Sequence, residues 1–348
     1  MTGLATHSGA HSGVVYAPTR QGYALPVVDV THPCFVVPDD ATSLDVLRGE
    51  LAVSERRRKR VPKFLMKWML RSVARRSLLA RELLGGGAGS VLSGLTTYVM
   101  KLGTANLVAP FNTPVDRRMT SSPGTQSMRI RLQQLVRLMA EGVRNELAVR
   151  GTVPLHLINI GGGTAIDSLN TLILLRKSDP AMLERRPVHI HVLDPDSEGP
   201  EFGAQALAAL TREGAPLQGL ELHFAHIPYD WKDTAVLANL VRGLSSSDSL
   251  IAASSEGALF EYGDDATVLA NLEALRSGSN VALVGGTVTR EDPIVREFIT
   301  VSRFKLVPRG AEQFGELVKR ADFAVTRVAA SLLSDQVLLH PIRAGKGQ

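Results

Sequence analysis

From residue 155 onward, hydrophobic and polar positions alternate between two periods. A continuous apolar run at 155–160 (Leu155, Leu157, Ile158, Ile160) stops at Gly161, Gly162 and Gly163. Ile166, Leu169, Leu172, Ile173 and Leu175 then recur at helical spacing. Further strands are expected at 188–193, 221–227, 249–254 and 280–284, with helices at 201–213, 231–243 and 264–277 between them. Two more helices, near 293–301 and 311–319, and two closing strands at 323–330 and 337–342 complete the pattern. Alternation on this scale calls for a parallel sheet with helices on both faces. The closeness of the last two strands predicts an antiparallel edge.

The first 150 residues follow the helical period only. A helix is expected at 39–50 with Asp40 or Thr42 as its cap, another at 54–84, another at 90–107, and a long amphipathic one at 124–150. Residues 25–38 carry two apolar bursts between prolines and read as an extended surface segment. Residues 1–25 read as a loose arm, in which His7 and His11 lack a third metal ligand. The glycines at 85–89 mark a helix stop and a joint. The division that follows is an N-terminal arm at 1–39, a helical cap or lid at 40–123 and an α/β domain at 124–348.

Composition changes this picture little, except in charge. The 348 residues are 44% hydrophobic and 21% charged, which suits a globular chain with a large core. A single cysteine, Cys34, excludes an internal disulfide framework, and no metal site is expected. No apolar run is long enough to span a membrane, and the N-terminus lacks a basic start followed by an apolar core, so a cytoplasmic protein is expected. Residues 1–150 carry 21 Lys and Arg against 10 Asp and Glu, whereas the remainder carries 18 against 24. The basic excess includes the run Arg56, Arg57, Arg58, Lys59 and Arg60. That run reads either as an RNA- or lipid-binding patch or as a solvated helix turn. Without interleaved aromatics or an RNA-binding motif, no nucleic-acid partner is expected.

The candidate chemistry lies at the carboxyl ends of the strands, where ligands bind in open α/β sheets. The glycine turn Gly161, Gly162, Gly163 suits close approach of backbone to a nucleotide-like ligand at a helix N-terminus. Asp194, ending the second strand, can accept hydrogen bonds from ribose hydroxyls, and Asp196 competes for that role. Asp230 and Trp231, after the third strand, suit an adenine base. Ser254, Ser255 and Glu256, after the fourth, are placed to meet an acceptor, with Glu256 the leading general base and Tyr262 beside it. Asn112, Asp116, Arg117 and Arg118 lie in a polar stretch at 110–123 that suits substrate contacts, and the paired arginines favour a carboxylate or phosphate.

Taken together, the strand, glycine turn, two acids, polar turn after strand four and closing strand pair resemble the class I S-adenosylmethionine-dependent methyltransferases over residues 124–342. That family usually has an acid near the end of the first strand, where this chain has Asn159. The resemblance implies a doubly wound, Rossmann-like seven-strand sheet with its last strand antiparallel, under an N-terminal α-helical cap. It implies S-adenosylmethionine as cofactor and a small-molecule acceptor, methylated at N, O or S by in-line displacement, with a homodimer as one assembly. Two alternatives use the same frame. A nicotinamide-dependent oxidoreductase would share the glycine turn and acid, though no Tyr-x-x-x-Lys pair accompanies them. A non-catalytic methyltransferase-like scaffold would use the fold for RNA or protein binding.

Overall fold

The structure, a computed structural model, describes residues 11–59, 62–85, 93–302 and 304–342. His7, Arg60 and the glycines at 86–89 lie outside the described residues, as do the side chains of Arg58 and Lys59.

A hairpin of β1 (Tyr16–Pro18) and β2 (Ala24–Pro26) opens the chain. The cap follows: α1 (Ala41–Lys59), α2 (Lys63–Arg76), α3 (Leu78–Gly85), α4 (Gly94–Lys101), a 3-10 turn at Thr104–Asn106 and α5 (Pro114–Thr120). The 28-residue helix α6 (Pro123–Arg150) leads into the sheet. There the order is β3 (Leu155–Ile160), α7 (Ile166–Ser178), α8 (Pro180–Leu183), β4 (Val188–Leu193), α9 (Glu198–Leu210), β5 (Leu222–Ile227), α10 (Ala235–Leu244) and β6 (Leu250–Ser255). Then come α11 (Leu259–Tyr262), α12 (Asp265–Arg276), β7 (Val281–Thr289), α13 (Pro293–Ser302), α14 (Gly310–Lys319), β8 (Phe323–Ala330) and β9 (Ser334–Pro341).

The seven strands run β5-β4-β3-β6-β7-β9-β8. Neighbours from β5 to β7 are parallel, while β9 is antiparallel to both β7 and β8. The last strand is therefore the reversed one, inserted between β7 and the edge strand β8. Each strand divides its side chains between two cores. Leu155, Leu157, Val188, Ile190 and Leu283 pack with Leu135, Val143, Leu169 and Phe202 of α6, α7 and α9. Ile158, Ile251, Ala253, Val284 and Leu339 pack with Leu237, Leu272 and Leu317 of α10, α12 and α14. The result is the doubly wound, Rossmann-like α/β arrangement under N-terminal helices.

The cap differs from the sequence reading in three places. The expected helix at 54–84 is three helices. Pro62 has no N–H to continue α1, and Ser77 restarts the chain by accepting the Ala80 N–H on its Oγ at 2.8 Å. The stretch at 110–123 is mostly helix α5, opened by a reciprocal capping box between Thr113 and Asp116. The arm at 1–25 is not loose over its described part, where Ala17 is fully buried, and the segment at 25–38 is not on the surface: Leu25, Val27, Val28 and Phe35 are buried in the same core as Leu95, Tyr98 and Leu157. Tyr98 fastens it, donating its hydroxyl to Pro26 O (2.6 Å) and accepting the Val28 N–H (2.9 Å). Arm, cap and sheet thus share one core. Among the described residues, no helix is long and apolar enough to cross a membrane, and no metal-ligating cluster is gathered.

Candidate functional site

The glycine turn after β3 takes its shape from the fold around it. Gly161 and Gly163 both have positive φ (63° and 49°), where a side chain is strained. A Cβ on Gly161 would lie 2.6 Å from the Ala258 Cβ and 3.0 Å from the Trp231 ring. Gly163 meets Gly94 at the start of α4 and Gly199 in α9. A Cβ on Gly94 would stand 2.7 Å from the Gly163 Cα. Asp194, at the end of β4, joins the two strand ends. Its Oδ2 accepts the Gly163 N–H (2.8 Å) and its Oδ1 the Asp196 N–H (2.9 Å). Burial pushes its pKa above the ordinary carboxylate value, against the pull of those amides.

Beneath the turn lies a closed polar network. Asn159 donates to Asp167 Oδ1 and to Ser254 Oγ, both at 2.8 Å, and accepts from Ser168 Oγ at 2.8 Å. Ser254 in turn donates to Asp167 Oδ2 at 2.7 Å. An acid thus meets the strand end at Asn159 after all: Asp167, on the first turn of α7. Burial raises the Asp167 pKa. Asn159 suits the place because its amide can both donate and accept where a second carboxylate would repel Asp167.

Beyond β6, four charged groups from three parts of the chain converge. Lys101, ending α4, pairs with Glu256 Oε2. Arg131 of α6 donates Nε to Glu256 Oε1 (2.6 Å) and Nη1 to Glu261 Oε2 (3.0 Å). Thr289 of β7 donates to the other Glu261 oxygen at 3.0 Å. The guanidinium lies directly on Gly257, where any Cβ would collide with it. Burial alone would raise the Glu256 pKa, but Arg131 and Lys101 together hold it down at about 2. Glu261 goes the other way, raised by burial that Arg131 and Thr289 only partly offset. A carboxylate clamped between two cations at such a pKa is a poor proton acceptor at neutral pH. Through these pairs Glu256, the general-base candidate from the sequence, joins α4 and α6 to the strand end.

A cavity of about 690 Å³ opens beside this cluster. Its walls are mainly apolar, with Met100, Met119, Met128, Phe298 and Phe304 among them, and Arg131, Glu261 and Tyr262 as polar features. Tyr262 and Gly257 line it, whereas Gly161, Gly162, Gly163, Asp194 and Trp231 do not. The candidate residues thus fall into two neighbouring places, the glycine turn and the cavity. Ser254 and Glu256 lie between them.

The remaining candidates have other work. Asp230 is exposed and accepts the Lys232 N–H at 3.0 Å. Ser255 accepts the Leu259 N–H at 2.9 Å and so starts α11. Asp116, expected at the substrate, is completely buried. It caps α5 and accepts a hydrogen bond from the Ser77 hydroxyl. Asn112 and Arg117 are exposed, with the Arg117 Nε directed at Asn112 O. Of that group only Arg118 reaches the cavity. Lys101, Arg131, Glu261 and Asp167 were not singled out from the sequence. The first two sit in helices whose apolar stripes dominate the pattern, and nothing local marks them.

Neither a protein-family model nor a curated protein sequence matches this chain. Solved structures do align. The 1,6-didemethyltoxoflavin N1-methyltransferase of Burkholderia thailandensis, with bound S-adenosylhomocysteine, is 14% identical over 60% of this chain and 79% of its own (TM-score 0.36). An O-methyltransferase of neocarzinostatin biosynthesis is 13% identical over 66% of this chain and 62% of its own (TM-score 0.38). The N,N-8-amino-8-demethyl-D-riboflavin dimethyltransferase of Streptomyces davawensis is 12% identical over 66% and 60% (TM-score 0.37). This chain spans less than two thirds of the latter two. At such levels of likeness, the functional reading rests on the geometry of this chain itself.

Proposed function

We propose that this chain is an S-adenosylmethionine-dependent methyltransferase of class I, acting on a small, mainly apolar acceptor. The observation that supports it is one juxtaposition. A glycine turn latched to Asp194 adjoins an apolar cavity at the carboxyl end of the central strands, in a sheet whose last strand is reversed.

Gly161, Gly162, Gly163, Asp194, Asp230 and Trp231 are the residues that would hold the cofactor. When bound, it supplies an electrophilic methyl group. Asp194 latches the turn and the Trp231 indole lies against Gly161, which supports a ligand on that side. The turn is closed on the other side, where Gly94 rests on Gly163. Binding therefore requires the start of α4 to withdraw from the turn.

The chain's own contribution is orientation and exclusion of water. The apolar walls hold the acceptor dry. Arg118 at the rim and Arg131 deeper in favour an acceptor with a carboxylate or another hydrogen-bond acceptor. Glu261, lining the cavity with a raised pKa, takes the proton if the acceptor must lose one, and Tyr262 positions it. A direct test is methyl transfer from labelled S-adenosylmethionine to a panel of aromatic and aliphatic acids. Activity that falls in Glu261→Gln with an altered pH profile supports these roles; activity that is indifferent to Glu261→Gln removes them.

One observation favours a second reading. Both Asp194 oxygens are already satisfied by backbone amides, and three glycines close on one another at Gly163, so the frame is complete without a ligand. A methyltransferase-like scaffold would look the same. Failure to bind S-adenosylhomocysteine at all would select that reading.

A further inference from the structure

The cavity has a direction as well as a size. At about 690 Å³ it falls among pockets that enclose a drug-sized ligand. Helix α6 runs along it. Gly124, Met128 and Arg131 all line the wall, so the cavity extends about 10 Å along the helix axis.

Its two ends differ in charge. At the outer end Arg118 is exposed, and its guanidinium has no ion-pair partner among the described residues. At the inner end Arg131 is nearly buried and already holds Glu256 and Glu261, while Lys101 is on Glu256. Both inner cations are therefore engaged, and an anion brought there would compete with two buried carboxyl groups. The free cation is at the mouth.

The hydroxyls point to a polar group further in. Ser127 and Tyr262 line the cavity, and neither hydroxyl has a hydrogen-bond partner among the described residues. Ser127 is only 2% exposed. A buried hydroxyl left without a partner forfeits hydrogen bonding that a ligand can restore. Between the two ends the walls suit flat rings. Phe298 lies against Gly124, its Cε2 3.4 Å from where a Cβ would stand, and it tilts towards Phe304 with 6.4 Å between ring centroids. Met100, Met119 and Met128 add thioethers, which pack well on aromatic rings.

We infer that the cavity takes a linear, two-ring aromatic acid with a hydroxyl at the end opposite its carboxylate, entering hydroxyl first. The carboxylate stays at the mouth on Arg118. The rings lie among the methionines and phenylalanines, and the hydroxyl reaches Glu261 and Tyr262. That this ligand is the methyl acceptor rests on the reading above; that it binds, and which end faces inward, does not.

The test is calorimetric titration of the full chain with 4′-hydroxybiphenyl-4-carboxylic acid, its methyl ester, the analogue without the hydroxyl, and 4-hydroxybenzoic acid. The two-ring acid should bind about fivefold more tightly than its ester. Loss of the hydroxyl should weaken binding by a similar factor, about fivefold. The one-ring acid, which cannot reach both ends, should bind at least about tenfold more weakly. In Arg118→Gln, an exposed position, acid and ester should become equal. Absence of binding by the two-ring acid overturns the inference, and so does an ester or a hydroxyl-free analogue that binds as tightly. A preference for the acid that survives Arg118→Gln overturns it too, because the carboxylate would then lie elsewhere. A methyl-transfer assay on the same acid separates the two readings. Binding without transfer upholds this inference and removes the acceptor role, whereas transfer to other acids without binding of this one does the reverse.

Discussion

At the scale of single residues, two carboxylates five positions apart have opposite characters because of what surrounds them. Glu256 lies between Lys101 and Arg131, and its pKa is held at about 2. It contributes stability above the ordinary carboxylate range, and that contribution is lost as pH falls towards 2. Glu256→Ala leaves two buried cations facing each other without their shared partner, and a loss of about 3–5 kcal/mol in a denaturant melt is expected. Four histidines give a second, separate pH dependence. His156, His189 and His223 lie in register across β3, β4 and β5, with His191 beside them. The His156 and His191 rings meet at 3.1 Å between Nδ1 and Nε2. Burial, and then the neighbouring imidazoles, lower both pKa values to about 4. Both are neutral in the folded chain, so the stability they protect is present above about 6.5 and declines as pH falls from there to 4. The melting temperature should fall across that window, and His156→Asn with His191→Asn should flatten the fall. An equal fall in the double variant would place its cause elsewhere.

At the scale of elements, the parallel part of the sheet was legible because each strand carries its own apolar run and each crossover its own helical period. The reversed last strand was equally open to reading, since 323–342 leaves no room for a crossover helix. The cap was harder. Pro62 and Ser77 interrupt a periodicity that runs on across them in the sequence. The capping box at Thr113 and Asp116 was mistaken for a polar loop, because its side chains look like ligands until their partners are seen to be backbone amides. Asp116 then belongs to stability. Asp116→Ala removes the cap of α5 and strands the Ser77 hydroxyl, and should cost about 1–3 kcal/mol in a thermal or denaturant melt. It should leave acceptor affinity unchanged. The convergence of Lys101, Arg131 and Glu261 was beyond sequence reasoning, because it depends on how α4 and α6 cross the strand ends.

At the scale of the whole molecule, α4 links the two halves of the proposed site. Its first residue, Gly94, rests on the glycine turn, and its last, Lys101, pairs with Glu256 beside the cavity. The turn, Asp194 and their place in the sheet could be read from the sequence. That the cap closes on them could not, since Gly94 carries no signal except in contact with Gly163. Occupation of the turn and the position of α4 are therefore coupled. Amide exchange in α4 should change when the turn is filled, and exchange unchanged there would show that α4 does not gate the turn.

The most direct measurement is thermal stability with S-adenosylhomocysteine, with NAD as the control, for the natural chain and for Asp194→Asn. A rise in melting temperature on the order of 5 °C is expected at a hundredfold excess over Kd. No rise is expected with NAD, and the rise should be largely lost in Asp194→Asn. No response to S-adenosylhomocysteine, or a response to NAD alone, would contradict the proposed function.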